Sequence, residues 1–127
     1  MFNFTWTWAG QFRRSDKNIG VHWPLIQAEL HKLCDDTRFW VEQETFAWTE
    51  LGARFHHRLV SIHPFPNGNG RHARLATDVL LRQNGQSSFT WGSVSLGAAS
   101  AIRRQYIQAL RSADAGDMSP LIEFVLT

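Results

Sequence analysis

Two prolines and two glycines fall within the eight residues from His63 to Gly70, and this break constrains the fold more than any other feature. Helical periodicity runs up to it and resumes just after it. Upstream, Leu51, Phe55, Leu59 and Ile62 are spaced by four, four and three, the rhythm of one buried face on a helix from about Thr45 to Ile62. Downstream, a helix is expected from Arg71 to about Gln83, with Leu75, Val79 and Leu80 in the core and Gly85 as its stop. No helix continues through Pro64 and Pro66. The chain must therefore fold as helix, tight loop, helix, with Asn67-Gly68-Asn69-Gly70 in the loop.

The same punctuation divides the rest of the chain. Phe2, Phe4, Trp6 and Trp8 alternate as in a strand, at full strength from the first residues, so this element is expected to begin in a segment upstream. Residues 10–24 mix charged residues, Asn and Gly, and read as a hairpin or irregular loop with its tip near Asp16-Lys17-Asn18. Pro24 suits the first turn of a helix, and Leu25, Ile26, Leu30 and Leu33 carry its period to about Thr37. Phe39, Trp40 and Val41 extend that helix or open another turn. Gln86 to Ser95 reads as polar linker, although Phe89 and Trp91 must pack somewhere. A helix follows from Ala98 to Ala113, and Ser119-Pro120 opens a short last one reaching Leu126. The expectation is an all-α domain of about five helices with one short β-hairpin.

Composition bounds the function. At 127 residues the chain forms one domain, and 43% hydrophobic against 19% charged residues excludes global disorder. A net charge of +2 gives no basic stripe for nucleic acid, so direct nucleic-acid binding is not expected. No apolar run approaches the roughly 18 residues of a membrane span, and no signal peptide opens the chain, so a cytoplasmic protein with no membrane partner is the default. The single cysteine, Cys34, excludes an internal disulfide and is expected to be a buried thiol. His56 and His57 lie seven and six residues before His63, which does not suit a zinc site. His22, His31 and His72 are expected to be surface or packing residues, and Arg103 and Arg104 to lie on a solvent face.

The chemistry is concentrated in Ile62 to Arg74. Glycines at 68 and 70 let a ligand approach the backbone closely. The amides at the following helix N-terminus, with the helix dipole, form an anion site. Arg71 and Arg74, three apart, share a helix face and can both reach an anion such as a di- or triphosphate. No GxxxxGK[ST] loop is present, and Gly68-x-Gly70 lacks the third glycine of a dinucleotide fingerprint.

This stretch resembles the Fic domain family, whose motif is H-x-F-x-(D/E)-G-N-G-R-x-x-R. His63, Phe65, Gly68, Asn69, Gly70, Arg71 and Arg74 match seven of its eight specified positions, with Asn67 where the acidic residue belongs. Trp8-Ala9-Gly10-Gln11-Phe12-Arg13 looks like the start of the family's flap, a β-hairpin that docks the target chain. Residues 119–124 look like its closing helix. PFPNGNGRHARL is particularly close to the subgroup called mobile mystery protein B. The resemblance implies a single Fic-type helical domain over 1–127, with the flap at about 10–24 and the active-site loop at 63–71.

It also implies transfer of AMP from ATP to a Ser, Thr or Tyr hydroxyl of a target protein. His63 would be the general base and, with Arg71, catalytic. The amides of Asn67 to Gly70 and the Asn69 side chain would hold the α- and β-phosphates, Arg71 the β-phosphate and Arg74 the γ-phosphate. Arg13, Arg14 and Lys17 would lie on the docking flap. Asn67 would face the Mg²⁺ that bridges the phosphates, and its missing charge implies weaker metal binding, with the ion arriving on the nucleotide. Two alternatives stay open: a nucleotide-binding module with weak or no catalysis, and transfer of another phosphate-containing group. The family's inhibitory pattern (S/T)-x-x-x-E-(G/N) fails at Phe124, after Ser119 and Glu123. Inhibition by this chain itself is therefore not expected, and a separate antitoxin or other inhibitory partner is left open.

Overall fold

The computed structural model describes residues 12–17, 19–94 and 97–127. The aromatic alternation at Phe2 to Trp8, the Trp8 to Gln11 part of the flap motif and the tip residue Asn18 lie outside these. Among the described residues a 3-10 turn at Trp23–Leu25 is followed by five α-helices: α1 (Ile26–Glu42), α2 (Trp48–Ile62), α3 (Asn69–Gln83), α4 (Ala99–Asp114) and α5 (Ser119–Val125). Phe39, Trp40 and Val41 thus extend α1. The expected all-α architecture is present.

The helix α2 is central and packs against α1, α3 and α5. One side of it carries Leu51, Phe55, Leu59 and Ile62 into a cluster with Ile26, Leu30 and Leu33 of α1 and Ala73, Ala76 and Leu80 of α3. Its Ala53 enters a second cluster with Tyr106 and Ala109 of α4 and Leu121, Phe124 and Val125 of α5. Gly52 makes room between them, because a Cβ there would lie 2.7 Å from the Phe89 ring.

Three expectations change. The helix α3 presents its small residues Ala73 and Ala76 to α2, which lets the two backbones approach closely and rotates the large Leu75 outward, 43% exposed. Val79 and Cys34 are half-buried, not buried. The third is the hairpin. No strand forms among the described residues, and the flap expected at about 10–24 is irregular over 12–17 and 19–22. Its backbone bonds to the end of α2 instead of to itself: Arg13 N–H donates to Pro64 O at 2.9 Å and Val21 N–H to Ile62 O at 3.3 Å. The Asp16 carboxylate accepts from Trp23 N–H at 2.8 Å and bonds the His22 ring at 2.9 Å. A polar side chain thus organises this segment where ladder bonds were expected.

Two histidines are buried in the helical core. His56 of α2 bonds the Tyr106 hydroxyl through Nε2 at 2.7 Å, and burial pushes its pKa down to about 3. His72 of α3 packs against the Phe65 ring and is pushed down to about 4, also by burial. Both are neutral when folded, whereas unfolded histidine takes up a proton near pH 6.5. The unfolded state therefore binds more protons as pH falls from about 6.5 towards 4 and then 3, and stability is lost through that window. Urea unfolding should show stability falling by up to about 1.4 kcal/mol per pH unit for each histidine, with a shallower fall in His56→Gln.

Candidate active site

The loop between α2 and α3 is built by a few local devices. Helix α2 ends at His63, which adopts the left-handed conformation (φ 53°, ψ 62°) that a helix C-terminus commonly needs. Pro64 and Phe65 follow and are buried. The Asn69 side chain then ties the loop shut, accepting from Phe65 N–H and donating to Phe65 O, each at 2.8 Å. Gly68 makes the turn into α3 at φ 73°. The first bond within α3 runs from His72 N–H to Gly68 O, so the N–H groups of Asn69, Gly70 and Arg71 have no acceptor inside the helix. Asn67 and Arg71 are exposed beside them.

This arrangement presents an imidazole and a set of outward amides on one loop, with a cation at its edge. The His63 ring is part-buried, and its pKa is lowered by burial first, then by the positive charges of Arg13 and Lys17. The ring is thus held in the neutral, proton-accepting form at neutral pH. The Asn69 side chain, expected to hold phosphate, places its oxygen and one Nδ2–H on Phe65. What Asn69 can still offer an anion is its second Nδ2–H and its backbone N–H.

Arg74 takes a place the sequence did not suggest. Its guanidinium lies 4.6 Å from the centre of the Tyr106 ring and 5.9 Å from that of Trp91. Both aromatic faces attract a cation. Asp78, one turn further along α3, accepts from Trp91 Nε1 at 3.1 Å and from Phe89 N–H at 3.3 Å, which fixes the indole. A groove of about 280 Å³ opens here, lined by Arg74, Trp91, Ile102, Arg103, Tyr106 and Phe124. The i, i+4 spacing of Arg74 and Asp78 was visible in the sequence. The contribution of Tyr106, from a helix about 30 residues away in sequence, was not.

The flap residues separate. Arg14 and Lys17 are exposed, but Arg13 is only 3% exposed and points into the protein, so its side chain does not share a docking surface with them. For a resident metal the fit is poor. Among the described residues no three His, Cys, Asp or Glu side chains cluster as ligands, and the only side-chain oxygen the 67–71 loop turns outward is the Asn67 amide. These residues do not make a protein-held Mg²⁺ site.

The model of the Fic/DOC family matches residues 1–81, the segment that holds the whole loop, His63, Arg71 and Arg74. The chain belongs to the Fic/DOC family. Proteins named protein adenylyltransferase Fic from Aedes aegypti and Drosophila melanogaster are each 31% identical to it over 120 residues. Those matches cover 92% of this chain and 23% of each relative, so the chain spans about a quarter of their length. Among solved structures, a Fic domain containing signaling protein from Bacteroides thetaiotaomicron superposes with a TM-score of 0.74 at 19% identity, over 91% of this chain and 49% of that one. Fic-1 from C. elegans gives a TM-score of 0.72 at 26% identity, over 93% of this chain and 33% of its own. This Fic-family loop depends on Asn69 for closure. Asn69→Ala removes two buried bonds and leaves the Phe65 N–H without its acceptor, so chemical denaturation should show a loss of roughly 2–3 kcal/mol.

Proposed function

We propose that this chain is the transfer domain of a protein adenylyltransferase, moving AMP from ATP to a Ser, Thr or Tyr hydroxyl of a target protein. The observation that carries the reading is the neutral, part-buried His63 at the end of α2, one short loop away from the outward amides at the start of α3. Family membership and the 31% identity to proteins named protein adenylyltransferase Fic support it.

The chain's residues divide the work. The imidazole of His63 takes the proton from the attacking hydroxyl, which then bonds to the α-phosphorus as the bond to the β-phosphate oxygen breaks. Pyrophosphate leaves, and the AMP stays on the target. The N–H groups of Asn69, Gly70 and Arg71, with the positive end of the α3 dipole, hold phosphate oxygens. Arg71 is exposed at the mouth and neutralises the charge that builds on the departing β-phosphate. Arg74, cradled by Tyr106 and Trp91, meets the terminal phosphate. Mg²⁺ comes with the nucleotide and is part of the substrate complex. Arg14 and Lys17 are the exposed flap cations available to a target chain.

Asn67 favours one second reading, a site that binds nucleotide with little turnover, because a neutral amide replaces a carboxylate at the loop. Titration with Mg²⁺-ATP, followed by mass spectrometry of lysate proteins for hydroxyl-linked AMP, separates the two. Tight binding without any adduct supports the binding module.

The enzyme reading makes a paired prediction. His63→Ala should abolish adduct formation while ATP affinity stays within a few-fold. Arg74→Ala should weaken ATP binding by roughly 1.5–3 kcal/mol, the scale of a charge-assisted bond, and weaken ADP binding much less. Calorimetry with both nucleotides checks it, and equal losses for ATP and ADP would remove Arg74 from the terminal phosphate.

A further inference from the structure

The end of α2 is held by a side chain from 50 residues upstream. The Arg13 guanidinium donates from Nε to His63 O at 2.6 Å, and from Nη2 to Val21 O at 2.5 Å and Ile62 O at 3.2 Å. Nη1 donates to Ser15 O at 3.0 Å. With its own N–H on Pro64 O, Arg13 satisfies the three consecutive carbonyls of Ile62, His63 and Pro64. The Ile62 and His63 carbonyls are among the acceptors a helix leaves without donors at its C-terminus, where the dipole also favours a cation.

His63 needs this support. A left-handed conformation on a residue other than glycine is strained and persists only where the surroundings over-determine it. A second strap closes from the other side. Val21 N–H donates to Ile62 O, and Gly20, at φ 98°, approaches so closely that a Cβ there would lie 2.7 Å from His63 Cβ. No hairpin is needed for any of this. The irregular segment expected to be a flap wraps the base.

We propose that Arg13 is a positioning residue for the transfer reaction, its guanidinium fork fixing the left-handed turn that aims the His63 imidazole. This rests on the reading of His63 as the general base. The same cation keeps the ring from taking up a proton too readily. Among the described residues the charges felt by the ring are Arg13 and Lys17, both from the 12–22 segment. The nearby Asp16 carboxylate, 3.9 Å from Arg13 Nη1, is engaged by His22 and the Trp23 N–H.

Two variants of the whole chain test the assignment. Arg13→Gln removes the charge and the fork, whereas Arg13→Lys keeps the charge, loses the fork and guards against loss of the fold. Both should slow transfer from α-labelled ATP to lysate proteins by roughly 10–100-fold, the scale of a misplaced catalytic group. ATP affinity by calorimetry should stay within about twofold, since the amides of α3 hold the nucleotide. The His63 pKa, followed through its ring Cε1–H NMR signal, should move up in Arg13→Gln and little in Arg13→Lys. A folded Arg13→Lys protein that transfers at the wild-type rate would overturn the proposal. So would a loss of ATP affinity in step with the rate, or an unchanged His63 pKa in Arg13→Gln. The NMR readout does not need turnover. If His63→Ala leaves transfer intact, the base reading fails, while the ring signal still decides whether Arg13 governs His63.

Discussion

The burial of α2 on both sides is the constraint on which the rest depends. Phe55 and Ala53 are fully enclosed, the first in the cluster with α1 and α3, the second in the cluster with α4 and α5. A helix gripped on two faces cannot slide or rotate without opening both cores, and close-packed interiors resist that. Its C-terminus is therefore a fixed point. His63 sits there, and the loop that follows inherits a rigid origin. The same packing sets the start of α3, because Ala73 and Ala76 let it lie close against α2. The imidazole and the outward amides are thus held relative to one another by core packing, and the loop between them adds only the Asn69 closure.

Polar side chains finish what the core begins. Asn69 closes the loop on Phe65, Asp78 holds the Trp91 indole, and Arg13 gathers the carbonyls at the end of α2. Each is a local answer to backbone or indole groups that would otherwise be buried without partners. Such devices fix the loop backbone and the side chains around it in one geometry. They also explain why Arg74 is set apart from Arg71. One is exposed at the loop, and the other is stacked on Tyr106 beneath the indole-lined groove.

The helices were legible in the sequence because apolar spacing and Pro and Gly punctuation are local signals. The places where the structure departs are those where a distant partner decided. Leu75 has a core-facing residue type at a helical spacing, but the close approach at Ala73 and Ala76 turned it outward. Residues 12–22 carry hairpin composition, but the unpaired carbonyls at the end of α2 were better acceptors for Arg13 and Val21 than a facing strand. The family resemblance put Arg13 on the docking flap with Arg14 and Lys17. Nothing within ten residues of it reveals that three of its acceptors, Ile62, His63 and Pro64, lie about fifty residues on.

By itself, the sequence determined the helical class, the helix–loop–helix around Pro64 to Gly70, and the family motif that the loop carries, because each follows from residue type and spacing over a dozen positions. Only the tertiary structure decided which partners the polar side chains around the loop take. It tied the Asn69 amide to Phe65, turned Arg13 inward to the His63 carbonyl and laid Arg74 on Tyr106. A polar side chain bonds whichever partner burial brings to it, and that partner is chosen by how the helices pack.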